Sequence, residues 1–156
     1  MDLLQELYII EQIKTVKSRY FRAVDLKDRD ILLSVVADQI TLDFSEAMHD
    51  PATGYKPPVH IPAATLPREK AVNIILGGLK DLITVHQGLC PEITVIDEHN
   101  ATAVWSMHDK VFFKEPTGYR QIVEGYGYYY DSYQYENNSW KLSSTRVTRL
   151  WANITR

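Results

Sequence analysis

The amino-acid sequence predicts an α+β protein: a cone-shaped α+β barrel in which three N-terminal helices pack on a strongly curved, mainly antiparallel sheet. Three observations carry this expectation. Apolar residues recur at helical spacing in the first third of the 156-residue chain, the remainder reads as a succession of strands, and short clusters of turn residues separate those strands. Helices followed by antiparallel strands imply a sheet with helices on one face. When such a sheet bends around a long helix it leaves a hollow with an open mouth, the kind of concavity that small molecules fill. The length suits a single domain over residues 1–156, with a core large enough to need neither disulfides nor metals.

The first helix follows from Leu3, Leu7, Ile10, Ile13, Val16, Tyr20 and Val24, with Glu11, Lys14, Lys17 and Arg22 lying between them and expected in water. Asp28 is placed to cap a second, short helix over Ile31 to Val36, because its carboxylate can accept from the free N–H groups of a first turn. Ile40, Leu42 and Phe44 alternate with Thr41 and Asp43, as in a half-buried strand. Residues 45–67 hold several prolines, Gly54 and no periodicity, and read as a long loop and candidate lid. Pro67 opens a third helix where its missing N–H is not needed. Ala71, Ile74, Ile75 and Leu79 form its apolar side, and Gly77 and Gly78 mark its end. Strands are expected over Leu82 to Leu89, Glu92 to Asp97, Ala101 to Phe113, Tyr119 to Tyr135 and Trp140 to Leu150, with turns at residues 98–100, 116–118 and 136–139.

A formal net charge of −3 supplies no basic face for a phosphate backbone, so nucleic acid is not an expected partner. No apolar run approaches the roughly 18 residues of a membrane span. The start MDLLQELYIIEQIK carries acids where a secretory leader carries bases, and the expectation is a cytoplasmic protein with no membrane partner. Cys90, the single cysteine, has no second thiol for an internal disulfide or a thiolate zinc cluster. Ten tyrosines and three tryptophans against four phenylalanines exceed what one small pocket uses, so a homo-oligomer, dimer or trimer, is expected.

Phosphate-cradling glycine loops, His-Glu-x-x-His pairs and Gly-x-Ser-x-Gly elbows are absent from the chain, which removes the common nucleotide, zinc-protease and hydrolase readings. What remains is acid/base material. Asp25 stands at the end of the first helix, after the apolar pair Ala23-Val24, and His86 lies in a strand-like stretch on the same face as Thr84. A carboxylate beside an imidazole fixes its tautomer and raises its basicity, leaving the free ring nitrogen able to take a substrate proton. Tyr20 precedes Asp25 by five residues, about 140° around an ideal helix, so the two can flank one site without sharing a stripe. The alternative for each is structural: a hydrogen-bonded core histidine and a helix-capping aspartate.

Alternation in the strand Ala101 to Phe113 turns Trp105, Met107 and Asp109 inward, with His108 outward. Asp109 is then either a second proton-transfer group, a partner for Arg146, or a strand-end charge in water. Tyr126, Tyr128 and Tyr130 share one face of the next strand and Tyr129 and Tyr133 the other. Either row can line a pocket, and plain sheet packing or a subunit interface accounts for most of them. Trp140, Leu142, Ser144 and Arg146 share a face of the last strand, where Arg146 either holds a carbonyl, phenolate or carboxylate in the pocket or makes a surface ion pair. His49, His60 and His99 lie in turns or loops without ligand spacing. His86, His108 and Asp25 form no recognisable ligand set either, so neither metal nor cofactor is expected.

Residues 17–28, Lys-Ser-Arg-Tyr-Phe-Arg-Ala-Val-Asp-Leu-Lys-Asp, with Thr84-Val85-His86-Gln87-Gly88 and Gly125-Tyr126-Gly127-Tyr128-Tyr129-Tyr130-Asp131, resemble the SnoaL-like group of the nuclear-transport-factor-two-like superfamily. Trp140-Lys141-Leu142 and Arg149-Leu150 fit the same pattern, and the likeness runs in order over nearly the whole domain. Scytalone dehydratase, the bile acid 7α-dehydratases and hexachlorocyclohexane dehydrochlorinase in that superfamily use an Asp/His pair, some with an aromatic hydroxyl nearby. The resemblance implies that Asp25 orients His86, His86 is the base and Tyr20 polarises or protonates the substrate. It further implies a cofactor-independent lyase or isomerase, dehydratase- or cyclase-like, for a hydrophobic oxygenated small molecule such as a polyketide, terpenoid or steroid-like intermediate. Trp105, Met107, Asp109, Tyr126, Tyr128 and Arg146 are the expected substrate-binding residues. Other members of the superfamily are non-catalytic, the small subunits of ring-hydroxylating dioxygenases among them, so a small-molecule-binding or assembly module is the alternative.

Overall fold

The computed structural model describes residues 1–57 and 62–155. Its elements, in chain order, are α1 (Leu3–Leu26), α2 (Arg29–Val35), β1 (Val36–Asp43), β2 (Ala64–Pro67), α3 (Arg68–Leu79), β3 (Leu82–Val95), β4 (Asn100–Glu115), β5 (Gly118–Glu136) and β6 (Ser139–Ile154). The six strands form one sheet in the order β2-β1-β6-β5-β4-β3. β1 runs parallel to β6 and every other neighbouring pair is antiparallel, the α+β architecture expected from helices preceding strands. Among the described residues, no helix is long and apolar enough to cross a membrane.

The core lies between α1 and the inner face of the sheet. Ile9, Ile13, Val16, Tyr20, Phe21 and Val24 recur at three- and four-residue steps along α1 and form one buried cluster with Trp105 and Met107 of β4, Tyr129 and Tyr133 of β5, and Leu142 and Val147 of β6. The helix departs from its expected face at two places. Leu3 and Leu7 remain exposed, because the first turns of α1 sit at the β3–β4 turn, where Gln5 reaches Glu98, and not over the sheet. Lys17, read as solvent-facing, is 0% exposed, because an acid on β5 meets it inside the core.

At the end of α1, Lys27 takes the left-handed conformation (φ 58°) that closes a helix, and the N–H of Asp28 bonds back to the Ala23 carbonyl at 2.8 Å. The Asp28 carboxylate then accepts from the Ile31 N–H at 3.0 Å and starts α2. This tight junction holds the last turn of α1, with Asp25, against β3. Within the segment read as a long loop, Ala64–Pro67 forms β2, paired with β1 and tied to it by Thr41 and Thr65 hydroxyls 2.8 Å apart. Residues 58–61 of the candidate lid, His60 included, lie outside the described residues.

Register shifts in β3 and β6 bear on the interior. The two runs expected at Leu82 to Leu89 and Glu92 to Asp97 are one strand, β3, interrupted by a bulge between Leu89 and Glu92 where Cys90 has φ 45°. The bulge accommodates Pro91, which has no N–H for the ladder. In β6 the register with β5 slips between Leu142 and Ser144. The extra residue, Ser143, reverses the faces: Trp140 and Leu142 point inward before it, and Thr145, Val147 and Arg149 do so after it.

Candidate active site

Asp25 projects from the last turn of α1 onto β3, where Thr84, His86 and Gly88 face the interior. Its Oδ1 lies 2.6 Å from His86 Nδ1 and accepts the Thr84 hydroxyl at 2.9 Å, while Oδ2 accepts the His86 backbone N–H at 2.9 Å. An ionised carboxylate has no proton to give, so the Nδ1 contact makes that nitrogen the N–H donor and leaves the Nε2 lone pair unused. The His86 and Asp25 side chains are 16% and 23% exposed. The sequence expectation that a helix-borne carboxylate meets a sheet-borne imidazole describes this geometry.

Phe21, one turn before Asp25, lies parallel to the imidazole with ring centroids 6.5 Å apart. A side chain at Gly88 would obstruct it: a Cβ there would fall 2.7 Å from Phe21 Cε2. The glycine of the Thr84–Gly88 motif therefore lets the aromatic wall of the site approach the strand.

A second charged pair lies beside the dyad. Asp109 is the register partner of His86, and Gly125 is the register partner of Asp109 on the far side. Arg149 grips Asp109 with both terminal nitrogens, at 2.6 and 2.8 Å, gives its Nε–H to the Ala47 carbonyl at 2.9 Å and contacts Met107 Sδ at 3.4 Å. Both side chains are buried, and such a bidentate pair fixes the guanidinium in one orientation. Arg149 is the residue that alternation along β6 misses, because the Ser143 bulge turns it inward in place of Arg146. Arg146 is half-exposed and pairs with Glu46 at 2.9 Å and Asp43 at 3.6 Å, the surface ion pair given as its alternative, and Asp109 takes Arg149 as partner in its place. Gly125 gives the guanidinium its room, since a Cβ there would come within 2.4 Å of Arg149 Nη1. Gly125→Ala is expected to lower stability by about 1–3 kcal/mol through overpacking. Chemical denaturation measures this, and no change would mean that Arg149 can move aside freely.

Deeper in the core, Lys17 Nζ sits 2.7 Å from Asp131 Oδ2 with both side chains at zero exposure. The rings of Tyr129, Phe21 and Tyr20 surround the ammonium at 4.0, 4.7 and 5.2 Å from their centroids. Burial lowers the Lys17 ammonium and Asp131 opposes that shift. Asp131 Oδ2 accepts the Tyr133 hydroxyl at 2.8 Å, and that hydroxyl accepts the Trp105 indole N–H at 3.2 Å. Tyr20 is buried in this group, and burial together with the field of Asp131 raises its phenol well above the usual tyrosine value, so it stays protonated. Among the described residues, no hydrogen bond joins Tyr20 to Asp25 or His86. Phe21 is the aromatic ring against the dyad.

Of the other expected site residues, Trp105 and Met107 face the same interior as His86. Tyr126 and Tyr128 do not. Tyr126 pairs in register with His108 and stacks on it at 4.4 Å, and Tyr128 pairs with Ser106. Both tyrosines therefore occupy the opposite side of the sheet from the dyad.

The same fold occurs in solved structures. The Kfla4162 protein of Kribbella flavida superposes with a TM-score of 0.76 at 19% identity, covering 92% of this chain and 91% of that one. A type 2 hexachlorocyclohexane dehydrochlorinase, LinA, gives 0.75 at 14% identity over 99% and 94%. A putative scytalone dehydratase from Novosphingobium aromaticivorans gives 0.73 at 12% identity over 97% and 91%. At these identities the likeness is one of fold. The SnoaL-like domain matches residues 5–146, so this chain belongs to the SnoaL-like domain family.

Proposed function

We propose that the protein is a cofactor-independent lyase or isomerase that removes a proton from a hydrophobic, oxygenated small molecule. The observation that carries this reading is the 2.6 Å contact between Asp25 Oδ1 and His86 Nδ1, through which an ionised Asp25 takes the Nδ1–H and reserves the Nε2 lone pair of the neutral ring for a substrate proton. His86 takes the proton through Nε2, and Asp25 holds the ring and stabilises the imidazolium that forms. Tyr20 lies in the buried group around Lys17 and Asp131 and acts only from behind Phe21. Trp105, Met107 and Phe21 provide apolar wall, and the Arg149–Asp109 pair provides a fixed dipole beside the reacting atoms. Structural neighbours described as a dehydrochlorinase and a putative scytalone dehydratase support elimination as the first reaction class to test.

The test is incubation of the purified protein with a panel of hydroxylated and halogenated polyketide-, terpenoid- and steroid-like compounds, followed by mass spectrometry. Loss of water or hydrogen halide supports elimination, and equal mass with altered connectivity supports isomerisation or cyclisation. Recovery of bound but unchanged compound throughout the panel would instead identify a binding module.

A further inference from the structure

The dyad is held from behind by Lys27. The Lys27 side chain turns back on α1, and its Nζ donates to Thr84 Oγ1 at 2.8 Å and to the Asp25 carbonyl oxygen at 3.2 Å. An ammonium has donors and no lone pair, so the Thr84 hydroxyl must accept from it. The proton of that hydroxyl is then directed to Asp25 Oδ1, 2.9 Å away. The carboxylate consequently receives three donors: the Thr84 hydroxyl and His86 Nδ1–H on Oδ1, and the His86 backbone N–H on Oδ2.

We propose that Lys27 and Thr84 are positioning residues for the base: the Lys27 ammonium sets the direction of a relay through Thr84 to Asp25, which holds the carboxylate in the orientation that keeps Oδ1 on His86 Nδ1. Burial lowers the Lys27 ammonium, and Asp25 opposes that shift.

The catalytic meaning of the relay rests on the proposed function, but its existence is measurable without turnover. The imidazole nitrogens of the intact, histidine-labelled protein are followed by NMR, which distinguishes the two tautomers of the neutral ring. In Lys27→Met the two tautomers of neutral His86 are expected to mix, because the Thr84 hydroxyl is no longer directed to Asp25, while Lys27→Arg, which retains the positive donor, preserves the Nδ1–H form. Thr84→Val is expected to mix the two tautomers of neutral His86, and Thr84→Ser to preserve the Nδ1–H form. A purely structural role would lower the unfolding temperature and leave the tautomer in place, and that result in both Lys27→Met and Thr84→Val would overturn the relay. Should the NMR changes appear while wild type converts nothing in the compound panel, the proposed function fails and the relay stands. Should turnover depend on His86 with the NMR signature unmoved, the relay fails alone.

Discussion

His86→Ala is expected to reduce turnover by about 10²–10⁴-fold, the usual contribution of a positioned general base, with unfolding behaviour close to wild type because the ring is partly exposed. Asp25→Asn should match it for a different reason. The two carboxylate oxygens accept from three donors, two on one oxygen and one on the other. An amide has one oxygen, so its NH₂ must face either the His86 backbone N–H or the Thr84 and Nδ1 donors. Facing the latter pair, it reverses the imidazole tautomer and turns N–H toward the substrate; facing the former, it leaves a donor opposed to a donor. Steady-state kinetics on whichever substrate the panel identifies gives the answer. Turnover within about threefold of wild type in both variants, far short of the loss expected for a general base, would remove the dyad from the mechanism.

Lys17→Met is expected to cost about 3–5 kcal/mol of stability, the range for a buried ion pair that loses one member. For a domain of this size that corresponds to a fall of roughly 10 °C or more in unfolding temperature. The cost comes from stranding the Asp131 carboxylate, which has no exposure and whose Oδ1 has no hydrogen-bond partner among the described residues. The double variant Lys17→Met/Asp131→Asn should recover most of the loss, because the amide oxygen that replaces the carboxylate still accepts the Tyr133 hydroxyl and no unpaired charge remains at this position. Urea unfolding followed by tryptophan fluorescence compares the three proteins. A double variant destabilised as much as the sum of its singles would show that the pair contributes through packing and not through charge.

Much of this arrangement is legible in the sequence because local patterns dictate it. The period of α1 from Ile13 onward, the Asp28 cap and the strict alternation of β4 place Tyr20, Trp105, Met107 and Asp109 inside. The end of α1 and the face shared by Thr84 and His86 bring the dyad together. What escapes the pattern has identifiable causes. Lys17 reads as a solvated charge because its partner, Asp131, is remote in sequence and nothing local marks it. Arg149 is hidden by a register slip that no composition rule announces. Tyr126 and Tyr128 stand on a face that alternation defines only relative to Tyr129, and the burial of Tyr129 is what decides which row is internal.

Ser143 is the odd residue through which both halves of β6 present their buried side chains to one interior. Removing it while keeping the turn at residues 137–138 would restore plain alternation from Leu142, with Ser144 outside and Thr145, Val147 and Arg149 still inside. The dyad, carried by α1 and β3, and the Arg149–Asp109 pair beside it would keep their neighbours. Loss of one residue at this point is therefore a change of length that the strand absorbs without reversing its lining.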